Sequence, residues 1–125
     1  MIIEFIQYLI ESTSKHARSF GHLHESIAIL KRQKRNQHAW KEHQDNCKNE
    51  IINFCQNVNP KNSILVLGSG LLHEIPIEYL QKNFKKVTLV DIVHLNFVKK
   101  YTKKNYLYRH IFHNCITYEL DYILF

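Results

Sequence analysis

Two short stretches of the chain carry residues whose types and spacing could do chemistry. The first is Gly68-Ser69-Gly70, directly after the apolar run Ile64–Leu67. The second is Asp91, which closes the apolar run Val87–Val90 at about 20 residues beyond that turn. A glycine turn after one strand can pass close to a ligand, and an acidic residue closing the next strand can accept hydrogen bonds from ribose hydroxyls. The spacing therefore predicts a site for a nucleoside-containing ligand.

The elements that must position these residues change character near residue 59. Residues 1–58 lack strand alternation and predict an all-helical N-terminal segment. Residues 59–125 alternate short apolar strands with helices, in the order strand, helix, strand, helix, strand, which is typical of a parallel sheet with right-handed crossovers. We therefore expect one compact α/β domain. In this domain the helical segment packs against a truncated half of a nucleotide-binding fold. That half is a partial Rossmann-like sheet of three parallel strands in the order 3-2-1.

Three helices are predicted in the N-terminal segment. The first spans about Ile2 to Lys15, and Gly21 is a break before the second. In the first helix every third or fourth residue is apolar along one face, which predicts a helix that docks by that face. The apolar faces consist of Ile3, Ile6 and Ile10 in the first helix, Leu23, Ile27 and Leu30 in the second, and Trp40, Cys47, Ile51, Phe54 and Val58 in the third.

The turn departs from the dinucleotide-binding pattern GxGxxG, because His73 takes the position of the third glycine. That glycine normally allows close helix–strand packing beneath a pyrophosphate, so its absence argues against NAD and FAD. A cofactor with ribose and adenine but no pyrophosphate tolerates the change better. S-adenosylmethionine is such a cofactor.

The stretches "SILVLGSGLL" and "VTLVDIVHL" together resemble the first two motifs of class I S-adenosylmethionine-dependent methyltransferases. The resemblance covers residues 35–116 and is sharpest over residues 64–95. It implies that the Gly68–Gly70 turn, Ser69 included, lines the methionine and ribose of the cofactor, and that Asp91 binds the ribose hydroxyls. It also implies that Ile92 packs on the adenine and that Asn114 approaches the adenine amino group.

Three positions depart from the pattern of this family. Val66 takes the place of an acidic residue, Leu72 that of the third glycine, and Asn114 that of an aspartate. Glu74 is a candidate to replace the missing acid, and its alternative role is to stabilise the N-terminus of the helix that follows. Arg35, from the resemblance alone, is a candidate to bind the cofactor carboxylate.

The family's full sheet is larger, and its acceptor-binding loops lie beyond the third strand, after which this chain ends. We therefore expect a truncated methyltransferase-like protein that at most binds the cofactor, with no catalytic residue assigned and no activity as an isolated chain. A degenerate partner subunit without catalysis and a small basic nucleic-acid-binding protein are the alternatives. The first strand is left as a sheet edge, which predicts a homo-oligomer or a second chain that completes the sheet.

Charge and composition set the remaining expectations. The formal net charge of +6 fits an anionic partner, and Lys31–Arg35 is the densest basic run, although solvated helix faces have the same composition. His43 and Cys47 face the same way on the third helix, but the nine histidines and three cysteines contain no triplet with zinc-site spacing, so no metal site is predicted. Unpaired cysteines and a start without an export signal or membrane span predict a cytoplasmic protein that does not bind membranes.

Overall fold

The computed structural model describes residues 2–105, 108–112 and 115–119. Four helices precede the first strand in this part of the chain, and two more lie among the strands. In order, the elements are α1 Ile2–Ile10, α2 Lys15–Ser19, α3 His22–Arg35, α4 Gln37–Gln56, β1 Ser63–Leu67, α5 Ile77–Asn83, β2 Lys86–Val90, α6 Asn96–Asn105, β3 Tyr108–Phe112 and β4 Cys115–Glu119.

The sheet differs from the predicted Rossmann-like sheet of three parallel strands in the order 3-2-1, and that prediction is wrong. The strand order is β1-β2-β4-β3, and among the described strands only β1 and β2 run parallel. β4 pairs antiparallel with both β2 and β3. Residues 113 and 114 alone separate β3 from β4, and a connection this short allows only antiparallel pairing. β4 thereby occupies the place beside β2 that the prediction assigned to the third strand.

The β1–β2 pair is parallel, as the two apolar runs predicted, and α5 crosses between the strands. Val66 lies opposite Leu89 on the face that packs against α5. The other face of β1 carries Leu65 and Leu67, whose side chains are 59% and 73% exposed. β1 is also one of the two edge strands of the sheet, and β3 is the other. The core on the covered face consists of Cys55, Ile77, Leu80, Phe84, Val87 and Leu89.

The predicted apolar faces of the N-terminal helices are only partly buried. In α3, Leu23 and Ile27 are buried as predicted, and the left-handed Gly21 precedes the helix. In α4, Trp40 and Phe54 are 36% and 72% exposed, so the prediction that they belong to a buried stripe is wrong. α4 instead turns Gln44 and Cys55 inward. Gln44 pairs with Gln33 of α3, and Cys55 belongs to the core that packs on the sheet.

The first helix ends at Ile10, earlier than the predicted end near Lys15, and a separate helix, α2, begins at Lys15. The segment between α1 and α2 ties the helical half to α6. Ser14 caps α2 by accepting a hydrogen bond from the N–H of Ala17. The buried carboxylate of Glu11 accepts a hydrogen bond of 2.5 Å from the N–H of Asn96, the first residue of α6. A carboxylate at this place satisfies a free N–H group and interacts favourably with the helix dipole. Nearby, the structure buries the cluster Ala17, Leu23, Ile27, Val93 and Leu95.

None of the helices in the described ranges has the length and apolar character needed to cross a membrane.

The α3–α4 contact is built on a buried amide pair. Gln33 donates to Gln44 at 3.2 Å, and Gln44 donates back to Gln33 at 2.7 Å. Both residues are buried. A buried amide that loses its partner keeps the desolvation cost without the compensating bond, whereas removing both amides removes the cost as well.

We expect Gln44→Leu to lower the free energy of unfolding by about 2 kcal/mol, because it leaves the buried amide of Gln33 without its hydrogen-bond partner. The double variant Gln33→Leu/Gln44→Leu should lose less than the single variant. Gln56→Leu, on the exposed end of the same helix, serves as the control and should change stability by less than about 0.5 kcal/mol. Urea denaturation measures all three, and a double variant less stable than Gln44→Leu would contradict the paired-amide explanation.

Candidate functional site

The glycine turn lies at the carboxyl edge of the β1–β2 pair, next to Asp91. Gly68 and Gly70 have φ angles of 71° and 50°, in the left-handed region that favours glycine. Apart from its chain neighbours, a Cβ built on Gly68 would have no heavy atom of the described residues within 4 Å. Glycine at position 68 is therefore favoured by the backbone conformation and not by packing against the described residues, and open space lies over Gly68.

All three N–H groups of the turn donate hydrogen bonds within the protein. Gly68 and Ser69 both donate to the carbonyl oxygen of Val90, at 2.8 and 3.3 Å. Gly70 donates to Oδ2 of Asp91 at 2.7 Å. Turns that bind phosphate direct their N–H groups at the anion. These three groups are already engaged, so the turn is poorly suited to a phosphate.

Asp91 joins the turn to the segment that follows β2. Its Oδ2 accepts the bond from Gly70, and its Oδ1 accepts one from the N–H of Val93 at 3.2 Å. An ionised carboxylate has about four acceptor positions, so each oxygen keeps room for a further donor. Asp91 is only half-buried. It can therefore accept ribose hydroxyls while both backbone bonds stay in place.

A second tie between the same two segments is a buried serine–histidine pair that the sequence interpretation missed. A hydrogen bond of 2.8 Å joins Oγ of Ser69 to Nε2 of His94, and both residues are buried. Nδ1 of His94 has no hydrogen-bond partner among the described residues. Residues that follow neighbouring parallel strands lie at the same edge of a sheet, and this rule could have brought Ser69 and His94 together.

The Ser69–His94 pair does not form a catalytic nucleophile. A serine activated by histidine must reach a substrate, and the histidine is usually oriented by a third group. Here both side chains are buried, and among the described residues no group forms a hydrogen bond with Nδ1 of His94. The side chain of Ser69, predicted to line the cofactor, is turned inward, so only its backbone faces the turn.

The other predicted site residues are placed as follows. Ile92 is 51% exposed and directly follows Asp91, which suits its predicted role. Glu74 is exposed between β1 and α5, and Arg35 is exposed at the end of α3. In the part of the chain that the structure describes, neither is joined to the turn by a hydrogen bond or an ion pair. Asn114 lies outside the described residues.

Leu72 keeps a glycine-like backbone at the position where the family pattern has a third glycine. Its φ angle is 65°, and its N–H donates to the carbonyl oxygen of Ser69 at 3.0 Å. A non-glycine residue in this region carries a cost of about 1–2 kcal/mol. The Leu72 side chain packs against the core of the sheet, and burial of that side chain offsets the cost.

The metal and nucleic-acid interpretations depend on residues outside this edge. His43 and Cys47 do approach each other, with 3.6 Å between Nε2 and Sγ. Within the described ranges, however, no group of three or more histidine, cysteine or acidic residues could hold a metal ion.

The basic run on α3 is partly neutralised. Lys31 forms an ion pair with Glu4, and Arg32 lies 3.6 Å from the carboxylate of Glu25. Gln33, in the middle of the run, is buried. The run is therefore not a continuous cationic surface for a polyanion.

Comparisons with known proteins returned no relative: no protein-family model matches the chain, and no curated protein and no solved structure matches it. Proposals about function therefore rest on the residues of the chain and their geometry.

His94 should make stability depend on pH. Burial lowers the pKa of His94 from 6.5 to about 4, although Asp91 raises it and Lys99 adds to the lowering. The unfolded chain thus takes up a proton near pH 6.5 that the folded chain takes up only near pH 4. The unfolded state binds more protons in this window, so stability falls as the pH drops through it.

We expect His94→Gln to flatten the fall in unfolding free energy between pH 6.5 and 4. Urea denaturation at several pH values measures this slope. Burial also lowers the pKa of His73, so some of the slope should remain in the variant. A variant with the parent's full slope would show that the buried imidazole is not its source.

Gly68→Ala should lower the free energy of unfolding by about 1 kcal/mol, because alanine is strained at a positive φ angle. Gly68→Asn should lose less, since asparagine tolerates this conformation better. Chemical denaturation of the two variants separates conformation from packing. If the two variants lost equal free energy of unfolding, or if Gly68→Ala lost more than backbone strain explains, a steric contact at this position would be indicated.

Proposed function

We propose that this chain binds a nucleoside cofactor, with S-adenosylmethionine as the candidate, at the carboxyl edge of β1 and β2. The observation that carries the proposal is the Gly68–Gly70 turn held against Asp91 by a 2.7 Å hydrogen bond, with open space over Gly68. In sheets with parallel strands, ligands bind outside the carboxyl ends of the strands. The turn and the carboxylate both lie at that edge.

The two parts of a nucleoside each have a complementary group here. The remaining acceptor positions of Asp91 suit the paired hydroxyls of a ribose, and hydrogen bonds to a charged acceptor are stronger than neutral ones. The exposed side chain of Ile92 offers an apolar surface beside them for a purine ring. The engaged N–H groups of the turn favour a ligand that places no phosphate there.

We further propose that the isolated chain does not transfer methyl groups at an appreciable rate. Much of the advantage of a transferase comes from holding the acceptor in line with the reacting group. At this edge the Ser69–His94 pair, which could otherwise serve as a base, is buried and turned inward. Binding without turnover is therefore the expected behaviour.

Titration calorimetry with adenosine, S-adenosylmethionine and ATP tests the proposal on the purified chain. Adenosine and S-adenosylmethionine should bind saturably, and ATP should bind no more tightly than adenosine. Ile92→Asp should weaken binding about 10-fold or more, by loss of the apolar surface. Ile29→Asp, at a similarly exposed position on α3, is the matched control and should bind like the parent.

Asp91→Ala should weaken binding by about 1.5–3 kcal/mol through loss of the charge-assisted bonds. Because Asp91 also holds two backbone N–H groups, its variant needs a circular-dichroism check of folding. Failure of the parent to bind either nucleoside, or parent-like binding by folded Asp91→Ala, would refute the assignment. Robust methyl transfer to a pool of candidate acceptors would refute the inactivity proposal alone.

A further inference from the structure

α1 presents its apolar side to solvent and its polar side to the protein. The inward side carries Glu4, Gln7 and Tyr8, none of which is fully exposed. A surface helix of a monomeric protein normally has the reverse arrangement, with its apolar stripe on the core. The outward side carries six large apolar residues that are 51% to 81% exposed: Ile2, Ile3, Phe5, Ile6, Leu9 and Ile10.

Polar contacts hold α1 in this orientation. Glu4 forms an ion pair with Lys31 of α3. The Arg18 guanidinium lies 4.9 Å from the ring centre of Tyr8 and donates to the Tyr8 carbonyl oxygen at 2.8 Å. Rolling α1 to bury its apolar side would break these contacts. In this orientation the apolar face of α1 is exposed.

A groove runs beside this face, between α1 and α3. Its volume is about 610 Å³. Its walls are mostly apolar, with one ion pair among them, and consist of Glu4, Phe5 and Tyr8 from α1 and His24, Ile27, Ala28 and Lys31 from α3. A groove of this kind accepts side chains that project from a second helix, as in helix-in-groove recognition.

We infer that α1 is the interface through which two copies of this chain associate, the α1 helix of each copy seated against the α1–α3 groove of the other. The six apolar residues of α1 are each more than half exposed. A standard interface buries about 800 Å² of each partner, an area that α1 and the groove would share. Monomeric proteins rarely expose contiguous apolar patches larger than a few hundred Å². A two-fold axis lets the same face serve both partners.

The charge on α1 favours a second copy over a membrane or a nucleic acid. Glu4 is the charged residue of this helix, and the helix contains no lysine or arginine. Helices that lie on anionic membranes combine an apolar face with lysine and arginine on the polar face, and nucleic-acid contacts need cations. An uncharged apolar face is instead complementary to itself.

Sedimentation velocity of the purified chain across the micromolar range tests the inference. The parent should form a dimer that tightens as ionic strength rises, because salt screens the repulsion between copies of formal net charge +6. Ile3→Asp/Ile6→Asp should raise the dimer dissociation constant by about 100-fold or more. Leu65→Asp/Leu67→Asp, on the exposed face of β1, is the matched control and should leave the constant unchanged.

Circular dichroism confirms that each variant is folded, and Ile10→Asp near the end of α1 replaces the double variant if that one is not. A monomeric parent, or a dimer dissociated by the sheet variant instead of the α1 variant, would overturn the inference. So would dissociation by salt. Binding of the parent to phosphatidylcholine vesicles that contain phosphatidylserine, lost in the α1 variant, would assign the face to a membrane. The inference does not depend on nucleoside binding, which calorimetry measures separately.

Discussion

The carboxylate of Asp91 is the constraint on which the candidate site depends. One oxygen holds the N–H of Gly70 and the other holds the N–H of Val93, so a single side chain ties together the segments that follow β1 and β2. Parallel pairing of the strands puts these segments side by side, and the buried Ser69–His94 bond adds a second tie. A ligand at this edge would therefore meet backbone that is already in position, which lowers the entropy cost of binding.

The helical half of the chain takes part in the same construction. Val93 and Leu95, just beyond Asp91, are buried against Leu23 and Ile27 of α3. A few residues later, Glu11 caps the start of α6. The segment after β2 thus belongs both to the candidate site and to the contact with the helices. This shared segment explains how an edge strand with one exposed face, β1, can still hold a defined turn at its end.

Polar contacts decide which helix faces are buried in the described N-terminal half. The amide pair of Gln33 and Gln44 sets the α3–α4 contact, and the Glu4–Lys31 pair helps to set the α1–α3 contact. Both arrangements turn apolar residues outward, Trp40 on α4 and several on α1. The exposed apolar side of α1 thus lies opposite a half-buried polar side, an arrangement suited to the proposed contact with a second copy of the chain.

The sequence by itself determined the local features of this protein. Gly21 and the Gly68–Gly70 turn were predictable, because a positive φ angle is a property of a single residue and its neighbours. The apolar runs of β1 and β2, with a helix between them, likewise determined their parallel pairing.

Only the tertiary structure decided the strand order, the buried faces of α1 and α4, and the Ser69–His94 bond. Insertion of β4 beside β2 depends on contacts between distant segments of the chain. The spacing of apolar residues along a helix likewise does not identify the element against which that face packs. The predicted third strand lies where its hairpin with β4 places it, since a connection as short as residues 113 and 114 permits no crossover. Side-chain burial followed from polar pairs such as Gln33 with Gln44, whose partners lie on different helices and leave no periodic signal in either one.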